Sequence, residues 1–131
     1  MHRRGVHHVA LLTPRFDDLR AFYVEMLGLP VIGGFAGYNI LFLDAGGIAI
    51  ELIEEAEGTP GESRGWDHLA LEVDDVDAVF HDLSMRGAAF ASPPEDYPAE
   101  APSMRITFLK DPDGNLVELV QALGERYPRL D

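Results

Sequence analysis

The chain has 131 residues, 47% hydrophobic and 25% charged, the size and balance of one folded domain rather than of a disordered or fibrous chain. With no cysteine it excludes disulfides, thiolate metal sites and a cysteine nucleophile, so any metal would have to sit on His, Asp, Glu or water. A net charge of −13 repels phosphate backbones and argues against nucleic acid as a partner, and no apolar run approaches the roughly 18 residues of a membrane span.

The basic start Met1–Gly5 leads into a strand predicted over 6–12, rich in Val and Leu. Thr13-Pro14-Arg15 ends it before a secretory apolar region can form, so a cytoplasmic location is expected. Phe16, Leu19, Phe22, Tyr23 and Met26 then recur at helical spacing, and Gly28 stands where a helix end favours a left-handed residue. Extended segments are predicted over 29–32, 38–44 and 48–53, with Ala45-Gly46-Gly47 as a hairpin turn.

The same order then repeats. A strand over 68–73 is followed by a helix that Asp74 or Asp75 can cap, with Val76, Val79, Phe80 and Leu83 as its stripe and Gly87 as its stop. Strands over 88–91, 104–110 and 116–121 follow, the last pair joined by Asp111-Pro112-Asp113-Gly114-Asn115. His8 lies over His68 and Glu51 over Glu118, so one β-α-β-β-β unit is used twice. The reading divides a single domain, 1–131, into a first module over 5–53, a linker over 54–65, a second module over 66–121 and a C-terminal tail over 122–131. The proline-rich stretch 92–102 is the candidate lid. Each module is too small to bury a generous core alone, so the two are expected to pack together.

Strand alternation selects the candidate site. Val9 and Leu11 face the first helix while His8, Ala10 and Leu12 face away; Leu69, Leu71 and Val73 face the second helix while His68, Ala70 and Glu72 face away. Glu51 and Glu118 sit among apolar neighbours on the closing strands, where an unpaired carboxylate costs several kcal/mol in desolvation. A divalent cation would compensate it. Two imidazoles and two carboxylates at equivalent positions, His8, Glu51, His68 and Glu118, make an N₂O₂ set suited to a six-coordinate Ni, Co, Mn, Fe or Zn ion. His7, His81 and His2 read as structural or solvated, and Arg105 as a surface ion-pair partner or, alternatively, a carboxylate contact beside the lid.

The paired modules, the His-Val-Ala-Leu and His-Leu-Ala-Leu openings at 8–11 and 68–71, and the closing Asp-Pro-Asp-Gly-Asn-Leu-Val-Glu-Leu at 111–119 resemble the vicinal oxygen chelate superfamily. That superfamily includes glyoxalase I, bleomycin resistance proteins, methylmalonyl-CoA epimerase and extradiol dioxygenases. The resemblance implies an α+β fold in which two βαβββ modules form a curved mixed sheet around a cleft, with helices on its outer face, in a homodimer. It places the metal ligands at His8, Glu51, His68 and Glu118, a set most similar to that of glyoxalase I; epimerases tend to carry glutamine where Glu51 stands. The implied activity is that of a metal-dependent lyase or isomerase on an α-hydroxycarbonyl or hemithioacetal, through a metal-stabilised enediolate, with Glu118 or Glu51 moving the proton. The alternatives are a non-catalytic binder of a bleomycin-type antibiotic, with Trp66, Tyr38, Phe42, Tyr97 and Phe108 as stacking surface, and an epimerase or extradiol dioxygenase of the same superfamily.

Overall fold

The structure, a computed structural model, describes residues 1–55, 65–110, 112, 114 and 116–130. The fold is α+β with a mixed sheet, and its contacts divide the chain into two compact units. The first comprises His8–Asp67 with Tyr127–Asp131, and the second Met1–His7 with His68–Arg126.

In the first unit, β1 (Arg3–Thr13), which belongs to it from His8 onward, is followed by α1 (Phe16–Arg20), then β2 (Val31–Gly34), β3 (Ile40–Asp44) and β4 (Ala49–Glu54), in spatial order β2-β3-β4-β1. β1 and β4 run parallel and the other neighbours antiparallel. The expected turn between β3 and β4 is present: Ala45 N–H donates to Ile48 O at 2.9 Å, and Gly46 and Gly47 have φ of 94° and 89°. Leu11, Phe16 and Leu52 form the core, with Leu19, Tyr23, Leu41 and Ile50 packed against them.

The first helix departs from its expected periodicity. After Arg20 it widens into a π-helix over Ala21–Met26, and Leu27 N–H donates to Phe22 O at 2.9 Å, five residues back. A π turn holds more residues than an α turn, so the stripe loses phase. Phe16, Leu19 and Tyr23 stay on the core, whereas Phe22 and Met26 turn outward and are exposed. Gly28 takes the expected left-handed conformation at φ 76°, and Leu29 N–H closes the helix end on Tyr23 O at 3.0 Å. Leu29 is thereby committed to the helix end, which displaces β2 to Val31–Gly34.

The second unit repeats the plan with β5 (Gly65–Val73), α2 (Val76–Met85), β6 (Ala89–Phe90), β7 (Glu95–Tyr97), β8 (Met104–Lys110) and β9 (Leu116–Ala122), in order β5-β9-β8-β6. β5 and β9 are parallel. Asp75 caps α2 by accepting from Ala78 N at 3.1 Å, and Gln121 Oε1 accepts from Val76 N at 2.9 Å, so two orphan donors of the helix start are satisfied. Val73, Val76, Val79 and Leu119 form the core. Each fully buried side chain of this kind contributes about 1.5–3 kcal/mol.

The expected lid is not a free loop. Glu95–Tyr97 pairs antiparallel with Met104–Ile106, and Ser103 N–H donates to Tyr97 O at 2.9 Å, which folds the proline-rich stretch back onto the sheet edge. At the linker, Glu54 ends β4 and Gly65 begins β5, while 56–64 lie outside the described residues, as do Asp111, Asp113 and Asn115 of the last turn. Among the described residues no helix is long and apolar enough to cross a membrane.

Candidate metal centre

Strand register builds the same pair in each unit. In the first, Ala10 on β1 stands opposite Glu51 on β4, and His8 opposite Ala49. His8 and Ala10 share a face, and alanine leaves the room in which the Glu51 carboxylate leans back toward the imidazole. His8 Nε2 and Glu51 Oε1 are 3.1 Å apart. In the second, Ala70 stands opposite Glu118, and His68 Nε2 lies 3.1 Å from Glu118 Oε1.

An aromatic ring from the neighbouring strand backs each pair. Phe42 on β3 is opposite Glu51 and meets His8 edge-on, with centroids 5.5 Å apart; Phe108 on β8 is opposite Glu118 and meets His68 edge-on at 5.3 Å. His8, Glu51 and Glu118 are buried, and the His68 side chain is only 6% exposed. Two carboxylates carried out of water demand compensating charge. His8 and Glu51 of the first unit and His68 and Glu118 of the second are possible metal-binding residues, each offering one ligand atom. Neighbouring ligands on an ion at about 2.1 Å sit about 3 Å apart, so the 3.1 Å separation within each pair fits two ligands of one ion. Imidazole and carboxylate without thiolate suit Ni, Co, Mn, Fe or Zn.

The remaining candidates take structural roles. Glu72, buried on the same face of β5 as His68, receives Arg126 Nε at 2.8 Å, so a guanidinium of the chain answers its charge. His7, fully buried, places Nε2 2.7 Å from Arg126 O. His2 lies 3.3 Å from Asp74, and His81 is exposed on α2. Arg105 is held by Asp77 at 2.8 and 3.0 Å and by Asp96 at 3.0 Å, joining α2 to β8 and β7. It therefore follows the ion-pair reading rather than that of a substrate contact. These bonds hold the Asp77 carboxyl below its ordinary range and push Arg105 up. Of the aromatic residues considered for stacking, Trp66 and Tyr38 are exposed, whereas Phe42 is buried and serves the wall behind His8. A ring that the sequence reading missed, Tyr127 of the tail, stands 5.3 Å from Phe42.

Two units on the β-α-β-β-β plan, each with its first and last strands parallel, define the class of fold. The Glyoxalase/Bleomycin resistance protein/Dioxygenase superfamily model matches residues 5–119, and the chain belongs to that superfamily. A probable lactoylglutathione lyase of Vibrio cholerae is 28% identical over 132 residues, covering 92% of this chain and 93% of the relative. The mitochondrial methylmalonyl-CoA epimerase of Homo sapiens is 29% identical over 131 residues, covering 89% of this chain and 73% of the relative. The crystal structure of methylmalonyl-CoA epimerase from Mycobacterium tuberculosis shares the fold, with a TM-score of 0.78 at 22% identity over 93% of this chain and 90% of that one.

Proposed function

We propose that the protein is a divalent-metal-dependent lyase or isomerase of the glyoxalase I type, acting on an α-hydroxycarbonyl or a hemithioacetal. The observation that carries the reading is the buried His–Glu pair repeated in each unit, His8 with Glu51 and His68 with Glu118, the paired ligand atoms 3.1 Å apart in both. The Vibrio cholerae relative, a probable lactoylglutathione lyase, supports the same reaction class.

His8 and His68 would hold the ion through Nε2, and Glu51 and Glu118 through a carboxylate oxygen. When bound, the ion would supply Lewis acidity that makes the substrate C–H next to the carbonyl more acidic. Glu118 or Glu51 takes the proton from one carbon and returns it to the next, acting first as base and then as acid. The buried setting of both carboxylates limits loss of that proton to bulk water. The imidazoles do not take part in the transfer; edge-on rings and strand register hold them in place.

The test is metal analysis of wild type, His8→Ala and Glu118→Ala after loading with Ni or Co, followed by turnover of methylglyoxal with glutathione and with other thiols. Wild type is expected to retain about one ion per site and the variants to lose it. Three preparations equally devoid of metal would sink the reading. The human relative motivates a second reading, an epimerase, in which the same carboxylates exchange an α-proton. Glu51, in place of the glutamine that epimerases tend to carry, favours the first. Deuterium uptake from D₂O into methylmalonyl-CoA without turnover of hemithioacetals would favour the second.

A further inference from the structure

The first His–Glu pair is backed by a cluster of rings that reaches the C-terminal tail. Phe42, which meets His8 edge-on at 5.5 Å, is fully buried. Two rings enclose it: Phe35 at 5.8 Å from within the unit and Tyr127 at 5.3 Å from the C-terminal tail. The tail is latched beside them, with Gly34 N–H of β2 donating to Pro128 O at 3.0 Å.

Gly33 and Gly34 explain why the latch closes. Neither has a positive φ, so backbone conformation does not demand glycine at either position. What demands it is space. A Cβ at Gly33 would stand 2.5 Å from Pro128 O and 3.1 Å from Tyr127 Cβ, and one at Gly34 would stand 2.3 Å from Leu130 Cδ2 and 2.7 Å from Ile40 O. The Gly33 obstruction comes from the tail alone, and its nearest atom is backbone, which cannot swing aside as a side chain can. Adjacent glycines therefore form a bed cut to the tail's shape, and Pro128 lies buried in it.

We propose that Tyr127 is a positioning residue: the tail, seated on Gly33–Gly34, presses Tyr127 against Phe42, and Phe42 in turn fixes the His8 imidazole as a metal ligand. The inference rests on the metal reading above and extends it to the retention of the ion. Residues that orient a ligating histidine commonly change metal affinity by about 10–100-fold when removed, although they never touch the ion. A rigid ring behind His8 acts by this route, because it restricts imidazole rotation that would otherwise have to be frozen on binding. The His68 pair, backed by Phe108, serves as the internal control.

Gly33→Ala is the selective probe, since alanine is conformationally permitted in β2 and is opposed only by the tail. In metal-free protein, amide exchange of Gly34 reports whether the latch is closed, and the imidazole proton signals of His8 and His68 report ring position. Gly33→Ala is expected to speed Gly34 exchange and to shift the His8 signals while leaving those of His68 in place. Loaded with Co(II), it should lose the ion to a chelator about 10-fold faster or more, with altered visible bands. Tyr127→Ala, which keeps both glycines, should reproduce the His8 and Co(II) effects, and Tyr127→Phe should restore them. Unchanged Gly34 exchange in Gly33→Ala overturns the latch. An open latch with unmoved His8 signals and wild-type Co(II) release overturns the positioning role. Should wild type take up no Co(II), the metal reading falls, and the His8 signals of the metal-free variants still decide whether Tyr127 positions the ring.

Discussion

The His8–Glu51 and His68–Glu118 pairs share strand direction, register, a 3.1 Å separation and an edge-on phenylalanine, yet they stand on different foundations. Phe42 is fully buried under Phe35 and Tyr127, while Phe108 is only partly buried. The helices diverge in the same way: α2 starts on an aspartate cap and runs regularly, whereas α1 starts on Arg15 without a side-chain cap and widens into a π turn. The His–Glu geometry is the same in both units while the residues packed behind it differ, so the same pair of side chains can be held by different packings.

The largest expected effect tests whether the pairs are equivalent as ligands. His8→Ala and His68→Ala should each abolish retention of Ni or Co after dialysis, read by elemental analysis, because either loss leaves one imidazole and two carboxylates, with water in place of the missing nitrogen ligand. Full retention in one variant would show that the pairs are not equivalent. A second substitution separates their foundations. Phe42→Ala, at a fully buried position, should lower unfolding free energy by about 3–5 kcal/mol, and Phe108→Ala by clearly less, both read by urea denaturation. Equal losses would mean that burial does not distinguish the two walls.

Next in size is the helix start. Asp75→Ala removes the acceptor for Ala78 N–H and should cost about 1 kcal/mol. Arg15→Asp at the corresponding position of α1 is expected to stabilise by up to a similar amount, since no side chain caps that end. If Arg15→Asp leaves stability unchanged, the difference between the two helix starts has no energetic content.

Much of this was legible in the sequence because it depends on short-range rules. Alternation placed His8 with Ala10 and His68 with Ala70 on one face, and the repeat aligned Glu51 with Glu118; the register that sets each glutamate opposite its alanine is added by the structure. What stayed hidden depends on long separations or on backbone detail. Gly33-Gly34 is composed like a turn, but it serves as a seat for Pro128 and Leu130, roughly a hundred positions away, and no local pattern encodes that contact. The π turn shifts Phe22 and Met26 outward by a change in hydrogen bonding that apolar spacing does not register. The prolines of 92–102 suggested a loop, yet Glu95–Tyr97 pairs at the edge of β8, where strands tolerate nearby proline.

The smallest expected effect concerns a tie in the second unit, Arg105 between Asp77 and Asp96. Its bonds to Arg105 lower the Asp77 pKa from 3.8, so the folded state prefers the ionised carboxylate more strongly than the unfolded chain does. A depressed folded pKa gives stability that is present in full above the unfolded value and lost as pH falls through the folded one. Arg105→Gln should therefore unfold at slightly lower urea than wild type at about pH 6, with the gap closing at more acidic pH as Asp77 protonates in both proteins. The effect is small because the Asp77 and Asp96 side chains are about half exposed, where solvent screening weakens the pair. A gap that persists unchanged to about pH 2 would assign the loss to packing of the arginine stem rather than to charge, since aliphatic contacts do not titrate.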